Sequence, residues 1–159
     1  MKLLTPILVV FSAFCMMGIT TGVAQQCATF HQTNCLSKKA DGYNPTPNSI
    51  SFAMQKGEFQ EVVVTFRNGH DYHVCVAADD IFGSKVFMQI MDTETNEVMY
   101  ENTHEHINTN LEFSSVKTFE AQILLETPAG RTDDTRYNPT GCVGLLIESR
   151  ITPPTGFTE

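Results

Sequence analysis

The sequence predicts an all-β protein, a β-sandwich or jelly roll of about eight antiparallel strands. Two observations predict this fold: apolar residues recur at every second position in several short segments, and turn-forming residues separate those segments. A sheet with one buried face requires such alternation. After residue 24, no segment carries apolar residues at the three- and four-residue spacing of a helix, so the sequence predicts no helix.

The first predicted strands lie before residue 79. Residues 50–54 alternate apolar with polar or small side chains, and residues 59–66 contain the β-branched run Val62–Val64, which is typical of strands. Asn68-Gly69 is a strong turn signal and predicts that the strands on its two sides are paired. The second of these strands covers residues 72–78.

The remaining strands follow at short intervals. They are predicted at residues 86–91, 98–100, 111–113, 119–127 and 142–147. Residues 92–96 are predicted to form a hairpin turn. Two polar stretches, 101–110 and 128–141, are predicted loops, and we expect such loops to supply the contact surface of a rigid sandwich.

The first 24 residues predict a secretory signal peptide. Lys2 is followed by an almost wholly apolar stretch over residues 3–19 and by the small residues of Gly22-Val23-Ala24. An uncleaved anchor is the alternative, but the strictly apolar stretch is shorter than the roughly 20 residues a spanning helix needs. Cleavage after Ala24 would leave a secreted or periplasmic protein with no membrane span.

The division of the chain follows from this signal. We predict a signal peptide over residues 1–24, a disulfide-bearing N-terminal segment over 25–47, a β-sandwich over 48–150 and a flexible tail over 151–159.

Cysteine usage supports export. Four cysteines remain after the predicted signal peptide: Cys27, Cys35, Cys75 and Cys142. An even number in an exported chain favours two disulfides, with three possible connectivities. Of these we favour Cys27–Cys35 with Cys75–Cys142. A zinc site is disfavoured because no close C-x-x-C pair is present.

One feature of Cys75 weakens this pairing. Cys75 is out of phase with Tyr72, Val74 and Val76. If those three side chains face the core, Cys75 points to the opposite side of the sheet, and its partner must reach it there.

Charge and motifs limit the function. The formal net charge is −8, which disfavours binding to nucleic acid and to anionic membranes. The chain contains no G-x-S-x-G, no H-E-x-x-H and no P-loop sequence. The sequence therefore predicts a protein that is not an enzyme.

Histidines are weak candidates for a metal site. His104 and His106 would share one face of a strand and could together hold a transition metal, with His70 and His73 completing the site. The stretch around His104 is a polar loop, so exposed loop histidines are the favoured interpretation. A metal-dependent hydrolase that uses these residues stays an alternative function.

Carboxylates suggest calcium only weakly. Asp79, Asp80 and Asp92 flank a predicted strand, and loop carboxylates can bind calcium. No EF-hand spacing is present, and turn capping by aspartate is the favoured interpretation. The sequence therefore predicts no cofactor, with calcium as the alternative.

Several motifs resemble known exported domains. The segment Gly69–Tyr72, the segment Met88–Asp92 and the closing segment Gly141–Leu146 resemble the bacterial prepeptidase C-terminal type of β-sandwich. The chain also resembles a group of exported Bacteroidetes proteins. That resemblance depends on the following residues: Gln26, Cys27, Phe30, His31, Cys35, Asp71, Tyr72, Cys75 and the ending Gly141–Leu146. Both resemblances imply a β-sandwich, and the first implies an accessory module that binds or stabilises.

These observations predict an exported, non-catalytic binding or assembly module, with a protein or glycan of the cell envelope as partner. A carbohydrate-binding module is the alternative, because Tyr43, Tyr100 and Tyr137 lie in or beside loops and could form a sugar platform.

Overall fold

The computed structural model describes residues 26–83, 86–102, 109–129 and 139–154. In these ranges, nine strands form two antiparallel sheets, which confirms the predicted all-β sandwich. The strands are β1 (Asn44–Pro45), β2 (Ile50–Met54), β3 (Phe59–Phe66), β4 (His70–Ala78), β5 (Phe87–Asp92), β6 (Val98–Glu101), β7 (Asn110–Ser115), β8 (Phe119–Glu126) and β9 (Gly141–Ile151). The predicted signal peptide lies outside the described residues.

One five-residue helix, α1 (Phe30–Asn34), corrects the prediction that no helix is present. It is too short for a 3.6-residue periodicity to be visible in the sequence. Its one buried side chain is His31. Short 3₁₀ turns cover Lys39–Asp41 and Asp80–Phe82. None of the helices in the described ranges has the length and apolar character that a membrane crossing requires.

The two sheets differ in strand order. The five-stranded sheet has the order β1-β9-β4-β7, with β2 also paired to β9, and the four-stranded sheet has the order β3-β8-β5-β6. The predicted pairing across Asn68-Gly69 is therefore wrong, because β3 and β4 belong to different sheets. The turn itself is present, with Gly69 at a φ of 73°, but it carries the chain from one sheet to the other. A turn signal reports a local reversal and does not specify the strand that becomes the neighbour.

The core lies between the two sheets. Tyr72, Val74 and Val76 of β4 face it, together with Ala121, Ile123 and Leu125 of β8. The ring of Phe66 packs edge-on against the rings of Tyr72 and Phe113, with centroid distances of 4.8 and 5.0 Å. Burial of these apolar side chains is the main term that stabilises the sandwich.

Residues 27–43 lie across the outer face of the five-stranded sheet. We call them the N-terminal strap. The Cys27–Cys142 disulfide fixes its start to β9, with the two Cα atoms 5.3 Å apart. Gly144 makes room for α1, because a Cβ atom at this position would lie 2.7 Å from the Cα of His31.

The disulfide pairing that we favoured from the sequence is wrong. Cys75 lies opposite Leu146 in the β4–β9 register. Cys142 is four residues further along β9, or roughly 13 Å at 3.3 Å per residue, which is beyond the Cα separation of any disulfide. Cys27 is bonded to Cys142 and so is not available to Cys35.

Candidate functional site

The outer face of the four-stranded sheet is the candidate binding surface. Directly opposite residues in an antiparallel pair lie on the same face. Val64, Ala121 and Ile123 point into the core, so their neighbours along each strand point outward. These outward residues are Phe59, Glu61, Val63, Thr65, Phe87, Gln89, Met91, Val98, Glu101, Glu120, Gln122, Leu124 and Glu126. We call this set the outer sheet face.

Apolar side chains form much of this face. Phe59 is 61% exposed and Val63 is 56% exposed. Leu124, Phe87 and Met91, on the neighbouring strands, are half-buried. A solvated sheet face ordinarily carries polar residues, and a contiguous exposed apolar patch marks a surface for interaction.

Carboxylates surround these apolar side chains. Glu61, Glu120, Glu126 and Glu101 are exposed and point outward with them. Among the outward residues of these four strands there is no lysine and no arginine. The face therefore combines apolar contact area with a negative potential, and both suit a partner that presents apolar groups and cations.

Lys117 lies near one end of this sheet and is already engaged. The Lys117 Nζ atom is 3.0 Å from the Asp92 Oδ2 atom and lies over the Phe119 ring. This contact, with the N–H groups of Glu94 and Thr95, lowers the pKa of Asp92 although burial opposes the shift. Lys117 therefore neutralises Asp92 and not the glutamates of the outer sheet face.

The outer face of the other sheet is occupied by the N-terminal strap. His73 and Glu148 are fully buried there, with His73 Nδ1 3.0 Å from Glu148 Oε2. Glu148 also accepts hydrogen bonds from the Ser37 hydroxyl and from the Lys38 N–H. Burial raises the pKa of Glu148, but these bonds and His73 outweigh it and lower the pKa. The network attaches the strap to the sheet, and the side chains of His73 and Glu148 are both taken up by these internal contacts.

The predicted histidine site does not assemble in the described part of the chain. His73 is buried against Glu148, whereas His70 shares the opposite side of β4 with Tyr72. These two side chains cannot complete one metal site. His104 and His106 lie outside the described residues. In the described ranges, no group of three or more metal-ligating side chains forms.

The predicted aspartates bind backbone groups. Asp79 accepts a hydrogen bond from the Cys142 N–H. Asp92 accepts from the N–H groups of Glu94 and Thr95 at 2.9 and 3.2 Å. Asp80 begins the 3₁₀ turn before β5, whereas Asp92 ends that strand. The structure thus places these carboxylates at different strand ends, where Asp92 holds the β5–β6 turn and Asp79 binds the start of β9.

The predicted tyrosine platform is not formed by the two described tyrosines. Tyr43 is buried, and the Arg150 guanidinium lies over its ring at 4.5 Å. Tyr100 lines a cavity of about 260 Å³ between β6 and β7, together with Ile90 and Phe113. Tyr137 lies outside the described residues.

The outer sheet face was not among the sites predicted from the sequence. The run Val62-Val63-Val64 was a signal for this face. A strand with one solvated face carries a polar residue at every second position, and this run does not. Phe59 carries the same signal, because it is in phase with Val63 and not with the buried Val64. An apolar run of this kind marks a strand whose two faces both make contacts.

Of the comparisons with known proteins, only the one with solved structures gives a match. No protein-family model matches the chain, and no curated protein matches it. Among solved structures, the chain is similar to PliG of Aeromonas hydrophila, a periplasmic lysozyme inhibitor of g-type lysozyme. The sequence identity is 8% and the TM-score 0.46, over 69% of this chain and 90% of that one. A likeness at this level carries no argument about function.

Proposed function

We propose that this protein is an exported, non-catalytic module that binds a partner protein through its outer sheet face. The observation that carries the proposal is the composition of that face: exposed Phe59 and Val63 beside outward-pointing glutamates, with no outward lysine or arginine in the same four strands. The partner surface that fits is basic and carries apolar side chains at its centre.

Several features support export and binding. The Cys27–Cys142 disulfide belongs to an oxidising compartment. The two sheets and the N-terminal strap form a rigid frame, which lowers the entropy cost of binding. The predicted loops 101–110 and 128–141 lie mostly outside the described residues, so the proposal depends on the sheet and not on the loops.

The size of the face sets the expected affinity. Strands of up to eight residues, spaced about 4.8 Å apart, give an area on the order of 500 Å². A standard specific interface covers about 800 Å² on each partner. We therefore expect a transient complex, with a Kd on the order of micromolar.

The test compares two panels of purified proteins of similar size, one basic and one acidic. Binding to the mature chain is measured by biolayer interferometry at low and high salt. We expect binding to members of the basic panel and a marked loss of affinity at high salt, because exposed charges are screened. Equal binding of acidic proteins would contradict the proposal.

A matched pair of variants locates the surface. The Glu120→Lys/Glu126→Lys variant reverses two charges on the outer sheet face. The Glu94→Lys/Glu97→Lys variant makes the same change in the exposed β5–β6 turn. We expect the first variant to lose binding at least tenfold more than the second. Equal effects of the two variants would show that net charge, and not this face, determines binding.

A further inference from the structure

We propose that the mature protein carries a second disulfide, between Cys35 and Cys75, which fixes the middle of the N-terminal strap to the middle of the five-stranded sheet. The structure shows these two cysteines as free thiols, so the inference concerns the oxidised protein. It does not depend on the proposed binding function.

The fold brings the two cysteines together from distant parts of the chain. Cys35 follows directly after α1, and Cys75 lies on the outer side of β4. Both are buried, and with Leu146 they form a small apolar cluster separate from the main core. The alternation along β4 predicted that Cys75 points away from the core and that its partner lies on that side of the sheet. Cys35 lies there.

The two side chains are in direct contact. The Cys35 thiol donates a hydrogen bond to the Cys75 carbonyl oxygen at 3.3 Å. Its hydrogen bond with the Cys75 side chain, with burial, raises the pKa of Cys35 well above its ordinary value. Each cysteine therefore has the other as a neighbour, and both side chains are buried.

The Cys27–Cys142 bond limits which disulfides the remaining cysteines can form. Cys27 and Cys142 are bonded to each other, so Cys35 and Cys75 are the remaining pair of the four. The compartment that oxidises Cys27–Cys142 also oxidises a second pair held in contact. Two disulfides would then bracket α1, one before its first residue and one after its last.

The chemistry is a thiol–disulfide exchange with the disulfide of an exported oxidoreductase. One thiolate of the pair attacks a sulfur of that disulfide and forms a mixed disulfide, and the partner's other sulfur leaves as a thiolate. The second cysteine, as a thiolate, then attacks the mixed disulfide. The Cys35–Cys75 bond forms, the two protons go to solvent, and the oxidoreductase leaves with its two sulfurs reduced. Because both thiols are buried in the folded protein, this exchange takes place before the strap is fully docked.

The experiment uses the full chain exported to the periplasm of a bacterial host and purified without reductant. The protein is denatured in an alkylating reagent, digested with trypsin and mapped by mass spectrometry. We expect no alkylated cysteine in the mature protein, and we expect the peptide of residues 68–85, with Cys75, to be released only after reduction. Recovery of that peptide with an alkylated Cys75, and of an alkylated Cys35, would overturn the proposal.

Two variants assign the pairing, because the tryptic peptide that ends at Lys38 contains both Cys27 and Cys35. In Cys27→Ser/Cys142→Ser, this peptide should be joined to residues 68–85. In the control Cys35→Ser/Cys75→Ser, it should be joined to the peptide that contains Cys142. Direct linkage of residues 68–85 to the Cys142 peptide in the wild-type protein, without the peptide that ends at Lys38, would also overturn the proposal. The wild-type map and the control variant together give an answer even if the first variant does not fold.

Discussion

His73 and Glu148 form a fully buried pair, with the Nδ1 and Oε2 atoms 3.0 Å apart, beneath the N-terminal strap. The His73 Nε2 atom lies 3.3 Å from the Asn110 Oδ1 atom, so both ring nitrogens have partners. The ring of Tyr43, from the end of the strap, packs edge-on against His73 at 6.3 Å. This pair therefore joins the strap, β4 and β9 in one polar network.

The first prediction concerns this pair. Glu148→Ala should lower the free energy of unfolding by about 3 kcal/mol or more, because it leaves His73 and the Lys38 N–H without a buried partner. The matched control is Glu112→Ala, which removes a half-exposed carboxylate paired with Lys38 Nζ and should cost less than about 1 kcal/mol. Urea denaturation measures both variants. Equal losses would contradict a special role for the buried pair.

The second prediction concerns acid stability. Asp71 accepts hydrogen bonds from Ser114 Oγ at 2.7 Å and Thr152 Oγ1 at 2.8 Å, and it lies 3.1 Å from Arg150 Nε. The hydroxyl groups and Arg150 lower the pKa of Asp71 although burial opposes the shift. A carboxyl whose pKa is lower in the folded protein stabilises it above the unfolded pKa of about 3.9, and this contribution is lost as the pH falls through the folded value.

We therefore expect the stability contribution of Asp71 to be constant above about pH 5 and to decrease as the pH falls below about 4. Urea denaturation between pH 7 and pH 2.5 measures the dependence. Asp71→Asn should be less stable than wild type at pH 7, and the difference should shrink in acid. A difference that does not change with pH would rule out this carboxylate as the cause.

The third prediction tests the close approach of α1 to β9. Gly144→Ala should destabilise the protein by about 1 to 3 kcal/mol, because the new Cβ would lie 2.7–2.8 Å from backbone atoms of His31. Gly141→Ala on the same strand is the control. Its Cβ would meet the ends of the Ile81 and Phe82 side chains, and the Ile81 chain can turn away. Thermal unfolding should show the larger loss for Gly144→Ala, and the reverse order would contradict the placement of the helix.

The fourth prediction compares neighbouring valines of β3. Val63→Thr changes a side chain on the outer sheet face that is 56% exposed, and it should alter stability by less than about 0.5 kcal/mol. Val64→Thr places a hydroxyl in the core at a residue 2% exposed and should cost about 1 to 3 kcal/mol. Chemical denaturation of the two variants measures the difference. A larger cost at Val63 would mean that β3 presents its other face to the core.

The fifth prediction concerns the Cys27–Cys142 disulfide. It closes most of the chain into a loop with a sequence separation of 115. By the chain-entropy estimate, the Cys27→Ser/Cys142→Ser variant should lose roughly 4 to 5 kcal/mol of stability. Differential scanning calorimetry of the variant and the wild-type protein, both without reductant, measures the loss. An unchanged melting temperature would contradict a stabilising role for this bond.

Strand positions were predictable because they depend on local alternation. Met88 and Ile90 are buried and Gln89 between them points outward, as the period of two indicates. The same local rule predicted that Cys75 points away from Tyr72 and Val74. It could not predict which strands become neighbours. The turn at Asn68-Gly69 has the sequence of a hairpin, yet it joins two different sheets.

The candidate binding surface could not be predicted from the sequence, for a different reason. Alternation in β3 shows that Phe59 and Val63 lie on one side of the strand, but it does not show whether that side is covered. The N-terminal strap could have packed on either sheet. In the structure it packs on the five-stranded sheet, where Gly144 makes room for α1 and Cys142 holds Cys27. The outer sheet face is exposed because the strap covers the opposite one.

The amino-acid sequence alone established the all-β sandwich and most of its strand positions, because these follow from side-chain periodicity within a few residues. The tertiary structure decided the disulfide partner of Cys27, the contact between Cys35 and Cys75, and the face that stays open to a partner. These three features depend on strand register and on the path of the strap across β9. Both result from contacts between residues far apart in the chain, for which no local pattern exists.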